Sequence, residues 1–411
     1  MAKETVDLGK FQKGINSVAP DTDLPEGSLT SALNVDLDKE GNVYRRKGYT
    51  QIYSGSGIHS LYAKYFVEGS ELKDLDGTII QTGLSLSKFL AWETVLGEHY
   101  YSDGSILRTV EHGSAGVPTP PGNPTLSETT GLLDGGLYQV TIAYRSPNTG
   151  EIGGVRLASV ITVGDNSGIL LNDIPVSPDG YDVVIYVSTQ NGEELYQNGV
   201  VSNGLTAYTI VNSRKSTRIL NTQFMEPLPG GHIIRHFKAR LYVARDNVLW
   251  FSEAFRYGLR KTNKDFFQFA SKITIVQPVT DGVYVVADKT YFLEGTEPSK
   301  MALTVVSDDK GIEGTGITMG GQPFGIEADV EVGYWFSKKG AILGLPAGEL
   351  KFLTEDRLAL ETDLVSGSTM FKEVSGIKQM VTNFSNKGDV SEFKFADQIT
   401  SQIIRNGVIV N

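Results

Sequence analysis

Apolar and polar positions along the chain alternate with period two, and Gly, Asp and Asn interrupt the alternation every few residues. That is the pattern of short strands and hairpins. Helical periodicity is scarce, with short candidates only at Ser28–Ala32 and Arg357–Glu361. The chain therefore reads as all-β. One unit recurs: an apolar or aromatic strand, a short polar turn and a returning strand. Ala63-Lys-Tyr-Phe-Val67 turns at Glu68-Gly69 and returns through Leu72 to Leu75, and Glu98-His-Tyr-Tyr101 turns at Asp103-Gly104 and returns through Ile106-Leu107. Arg240–Ala244 turns at Asp246-Asn247 into Val248–Phe251, and Gly282–Ala287 turns at Asp288-Lys289 into Thr290–Leu293. Gly333–Phe336 returns as Ala341–Leu343, and a weaker sixth copy is expected at Val390–Phe395 with Thr400–Ile404.

The starts, near 64, 98, 240, 282, 333 and 390, fall mostly at the spacing of four-stranded propeller blades, about 40–50 residues. The one long gap becomes ordinary if about 95 residues are an insertion. That segment opens with the breaker run Val117-Pro-Thr-Pro-Pro-Gly-Asn-Pro124 and continues as regular strands: Gly136–Tyr144, Val155–Val163, Asp182–Val187 and Leu205–Val211. Its length and strand spacing fit a small β-sandwich and resemble a fibronectin type III module. The expected organisation is an amino-terminal arm and first hairpin at 1–50, a propeller-like segment at 51–117, the inserted sandwich at 118–212, and the remainder of the propeller at 213–411. In the arm, Gly14–Pro25 holds too many turn formers for a strand, whereas Ser31–Asp38 and Val43–Thr50 read as a hairpin around Lys39–Asn42.

Composition narrows the chemistry. The 411 residues contain no Cys, which excludes disulfides, thiol nucleophiles and thiolate metal sites. The formal charge is −11, from 37 Lys+Arg and 48 Asp+Glu, which argues against a basic nucleic-acid-binding domain. No apolar run reaches the roughly 18–20 residues of a membrane helix, so no membrane insertion is expected, and Met1-Ala-Lys-Glu-Thr5 lacks the apolar stretch of a signal peptide.

The candidate catalytic and metal motifs are all incomplete. Asn34, Asp36, Asp38 and Glu40 have the spacing of half a calcium loop, but the closing position is Lys47. His232 and His236 lie four apart, with Ile233 where a metalloprotease needs Glu. Gly314–Gly321 has neither P-loop nor dinucleotide spacing and reads as a mobile or backbone-approach loop. The expectation is no enzyme, no catalytic residue, no metal and no cofactor. Basic pieces are local, at Arg45-Arg46-Lys47, Arg214-Lys215 and Arg256 with Arg260-Lys261. Together with Phe255 and Tyr257, which lie in a segment between blades, Arg45, Arg46, Lys47, Arg256, Arg260 and Lys261 are the candidate subunit or partner contacts.

Two stretches resemble the short-tailed, podovirus-type bacteriophage tail proteins. One is Gly14-Ile-Asn-Ser-Val-Ala-Pro20, Leu24-Pro-Glu-Gly27, Ala32-Leu-Asn-Val-Asp36 and Gly41-Asn-Val-Tyr-Arg-Arg-Lys-Gly-Tyr49. The other runs from Pro227-Leu-Pro-Gly-Gly231 through Ala239–Ser252 to Phe255-Arg-Tyr-Gly-Leu259 and Phe266–Phe269. The resemblance implies a virion tail component of the nozzle or packaged-DNA-stabilisation type, assembled in the host cytoplasm. Such a protein is a propeller ring, commonly hexameric, below the portal and adaptor, with tail fibres or a needle as further neighbours. Double-stranded DNA would pass its acidic wall without being gripped. The inserted sandwich departs from that pattern. Two other readings stay open: a glycan-binding or glycan-degrading tail module, and a receptor-binding protein using the sandwich.

Overall fold

The computed structural model describes residues 10–32, 35–38, 40–46, 50–86, 88–213, 216–327, 329–358, 360, 364–374, 376–386, 399–405 and 408–410. The chain is all-β. Among the described residues the only helical elements are five 3-10 turns of three residues each. Six of its sheets are four-stranded antiparallel meanders, the strand plan of propeller blades, spanning 58–81, 91–114, 233–268, 275–307, 317–352 and 364–410.

Each recurring hairpin is the middle of such a sheet. Gly282–Val286 pairs on one side with Ile275–Val279 and on the other with Thr290–Glu294. Tight turns set these registers. Leu96 and Gly97, like Lys238 and Ala239, have both central residues at positive φ, the geometry that matches strand twist. In the sixth repeat Thr400–Ile404 lies within the strand Ile399–Arg405, and the other described strands of that sheet are Leu364–Val374, Ile377–Asn386 and Val408–Val410. Positions 390–395 lie outside the described residues. The long hairpin escapes the apolar pattern because Ser366, Gly367, Ser368 and Thr369 dilute it.

Two compact units divide the chain: Met1–Phe89, Ala244–Val248 and Gln268–Asn411, and Leu90–Val243 with Leu249–Phe267. In the first, the 275–307 and 317–352 sheets share a core of Ile275, Tyr284, Phe292, Trp335 and Ile342, with the Tyr284 and Trp335 rings 5.3 Å apart. The 317–352 and 364–410 sheets share a second core, where Phe336 meets Phe384 edge-on at 5.0 Å. Side chains of the second strand thus supply the core on both faces of one sheet. Gly14–Ile15 pairs in parallel with Ser28–Leu29, so each forms a short strand where turn or helix was expected. The two pairings satisfy each other's backbone, a long-range partner that local propensity does not reveal. Arg357 sits in a turn, and Ala359 and Glu361 lie outside the described residues. Asp38 closes the hairpin of Val35–Leu37 with Val43–Arg45. Despite partial desolvation, hydrogen bonds from Asn42, Glu40 and Tyr44 hold its carboxyl down at about 2. Asp38 thus serves the turn as an internal acceptor; Asn34 and Lys47 lie outside the described residues. Of the Gly-rich run, Ile317–Gly320 is a strand, while a Cβ at Gly314 would meet the Gly367 carbonyl.

In the second unit, seven strands between 125 and 210 form two sheets. Thr125–Leu133, Ser167–Asn172 and Tyr208–Ile210 make the smaller sheet. Ser159–Val163, Gly136–Arg145, Asp182–Ser188 and Leu195–Val201 make the larger. Tyr138, Val140, Ile142, Ile169, Leu171 and Ile185 pack between them as a sandwich core. The larger sheet is buried on its outer side as well, where Val184 and Tyr186 pack against Val155 and Leu220 from the flanking segments. The 91–114 and 233–268 sheets share a core of Val95, Tyr100, Ile234, Leu241 and Val243. The sequence pattern missed Thr125–Leu133 because Ser127, Glu128, Thr129 and Thr130 make it polar.

Candidate interaction surface

The 253–265 segment leaves the 233–268 sheet between Val248–Phe251 and Phe266–Gln268. It returns through Leu259–Lys261, which pairs antiparallel with Met225–Pro227 as a separate ribbon. Gly258 makes this possible, because a Cβ there would run into the Ala115 carbonyl. Gly258→Ala should therefore destabilise the protein by about 2–4 kcal/mol, read as an earlier thermal transition. An unchanged melting curve would show that the loops part without cost.

The segment presents Phe255 on the surface, 77% exposed, at a φ of 59°. Bulky residues rarely adopt that conformation, and here the Phe255 N–H donates to the Ala239 carbonyl at 2.8 Å. Phe224, at the other end of the ribbon, is also exposed at positive φ. Tyr257 turns inward, edge-on to Tyr100 at 5.9 Å and to His236 at 5.8 Å. Arg256 donates to the Asn221 carbonyl at 3.4 Å.

The remaining cations are tied within the chain. Arg260, 8% exposed, lies 4.1 Å above the Trp250 ring and pairs with Glu226. The Lys261 Nζ lies 2.6 Å from a Glu253 carboxylate oxygen, whose other oxygen lies 3.8 Å from Arg240. The Lys261 N–H donates to Asp265, whose carboxyl burial pushes up. Below the loop, burial pushes the Glu151 carboxyl up to about 7 against the pull of Arg256, and Glu98 adds to the rise. The Tyr100 hydroxyl donates to Glu98 at 2.6 Å.

Phe255, Arg256, Tyr257, Arg260 and Lys261 are thus brought together on one loop. Arg45 and Arg46 belong to the 35–45 hairpin of the first unit: Arg45 is exposed, and Arg46 donates to Asp36 at 3.1 and 3.2 Å. Lys47, Arg214 and Lys215 lie outside the described residues. Sequence reasoning missed Trp250 as the platform for Arg260, and Glu226, Glu253, Glu98 and Glu151 as the acids around the loop. Glu226 and Glu151 are distant along the chain from Arg260 and Arg256, and Trp250 and Glu253 meet Arg260 and Lys261 only because the segment folds back. Among the described residues, no group of three or more His, Asp or Glu is placed to hold a metal ion.

No family model and no curated protein matches the chain. Among solved structures it is similar to a crystal structure of BBS1N in complex with ARL6DN, soaked with lead. The identity is 8%, over 87% of this chain and 94% of that chain, with a TM-score of 0.34. A likeness that loose carries no argument about architecture or activity.

Proposed function

We propose that this protein is a structural subunit of a bacteriophage tail: a ring, hexameric by analogy with the tail proteins it resembles, below the portal and adaptor. The ring would extend the DNA channel and help retain and then release the packaged duplex. The observation that carries this reading is the resemblance of residues 14–49 and 227–269 to short-tailed phage tail proteins. Those stretches supply the 35–45 hairpin and the loop that presents Phe255, two surfaces suited to subunit contacts. The net charge of −11 suits a conduit, since an acidic wall repels phosphate where basic grooves would hold it. Tail adaptor and portal proteins are the expected neighbours.

Arg45→Glu combined with Arg46→Glu tests the arm. The variant should stay folded by circular dichroism and fail to enter rings or particles. Normal particles built from it would refute the role given to this hairpin.

A second reading, a glycan-binding or glycan-degrading tail module, draws on Glu98 and Glu151 with Tyr100, Tyr257 and Arg256 beside them. Release of reducing sugar from a surface polysaccharide, abolished in Glu151→Gln, would favour it over the conduit.

A further inference from the structure

Open sheet edges invite pairing with other chains, and proteins commonly blunt them by keeping edge strands short or charged. Five of the six meander sheets follow that rule at their fourth strand. Ile79–Gln81, Phe266–Gln268, Leu350–Phe352 and Val408–Val410 have three residues each, and Gly113–Ser114 has two. Ala302–Ser307 breaks the rule: six residues, Ala-Leu-Thr-Val-Val-Ser, without a charge or a Pro. Ala302, Leu303, Thr304 and Val305 are exposed in succession, so both faces stand open over these four residues, and only Val306 beyond them packs against the core. Its ladder partner is Thr290–Glu294, and among the described residues no strand pairs with its outer side. The long first strand Leu364–Val374 is different, because it carries Lys372 and Glu373 and its Gly367 N–H donates to Glu313. The uncharged sandwich edge Ser159–Val163 still turns some of its surface inward.

Among the described residues a second strand has no pairing on its outer side. Val43–Arg45 is exposed at all three positions and belongs to a two-stranded sheet, a construction of marginal stability alone. Within one copy the two edges do not pair. Their end charges are complementary in part. Asp308, which follows Ser307, is answered by Lys289 at 2.8 Å, and Arg46 by Asp36. Glu294, across the ladder from Ala302, is left to face the exposed Arg45 of the other strand.

We infer that Ala302–Ser307 is a docking edge for a second copy of this chain, which adds its Val43–Arg45 strand as a fifth strand. Two different surfaces meet in such a contact, so it propagates head to tail into a ring or a filament. The contact rests on the ring reading and deepens it by naming one interface.

The chain has no Cys, so single cysteine variants report cleanly. Thr304→Cys and Tyr44→Cys copies are mixed, oxidised and run on a non-reducing gel. The inference expects a cross-linked pair in the mixture and little from either variant alone. A link formed by Thr304→Cys with itself would overturn it in favour of two-fold pairing of like strands. Val305→Lys should stay folded and raise the self-association midpoint at least about tenfold, because a Lys on an edge blocks strand addition. If Val305→Lys assembles like wild type and the mixture gives no link, the contact is wrong. Rings seen by imaging under that result would leave the tail reading standing without it. A link between copies that never close a ring would do the reverse.

Discussion

Trp335→Ala should lower the stability of the first unit by about 3–5 kcal/mol, among the largest losses open to a single substitution in this chain. Trp335 is fully buried and lies in the core shared by the 275–307 and 317–352 sheets. Its neighbours are Tyr284 and the backbone of Gly344, where a Cβ would meet the indole at 2.8 Å. Truncation leaves a cavity that two packed sheets cannot close. Trp335→Phe should cost much less. It keeps an aromatic ring in place and removes a buried indole N–H that has no hydrogen-bond partner among the described residues. Chemical denaturation of the two variants makes the check. Equal losses would mean that the ring volume at this position does not join the sheets.

The second large effect is a fall in stability as pH rises from 4.5 towards 7, the reverse of ordinary carboxylate behaviour. Burial pushes both Glu93 and Glu151 from 4.5 up to about 7. Glu93 accepts the His236 N–H and feels Arg235, yet desolvation outweighs both. Across this window the folded protein holds protons that the unfolded chain has already released. Stability is therefore fully present below 4.5 and lost as pH climbs through 7, on the order of 1–3 kcal/mol for each group. His59, which burial pushes down, acts in the opposite direction near its ordinary range, but it lies in the other unit. Glu93→Gln with Glu151→Gln separates the contributions. The double variant should match wild type at pH 4.5 and melt at a higher temperature at pH 8. Parallel pH profiles for the two proteins would show that neither carboxyl is titrating in the folded state.

The repeat was legible where core-facing residues sit on alternating strands, as in Gly282–Val286 with Thr290–Glu294. There apolar spacing and an Asp-Lys turn carry the whole message. It was illegible where pairing supplies what composition lacks. Leu364–Val374 and Thr125–Leu133 are rich in Ser and Thr and become strands because long partners lie beside them. Gly14–Ile15 is a strand only through Ser28–Leu29. The candidate surface divides in the same way. Phe255 and its basic neighbours stand together in sequence, so the loop could be found from composition and position. The inward turn of Tyr257 and the pairing of Arg260 with Glu226 could not. A ribbon joining residues more than 30 apart decides which cations face out. The open edge at Ala302–Ser307 becomes visible only when all six sheets are compared.

Whether this acidic, repeated-sheet chain assembles into a closed conduit is decided by electron cryomicroscopy of the purified protein, or of particles that contain it. Six-fold rings are expected, each with a central channel wide enough to pass a DNA duplex. Stable monomers that bind or cleave polysaccharide, with no ring at any concentration, would rule the conduit out.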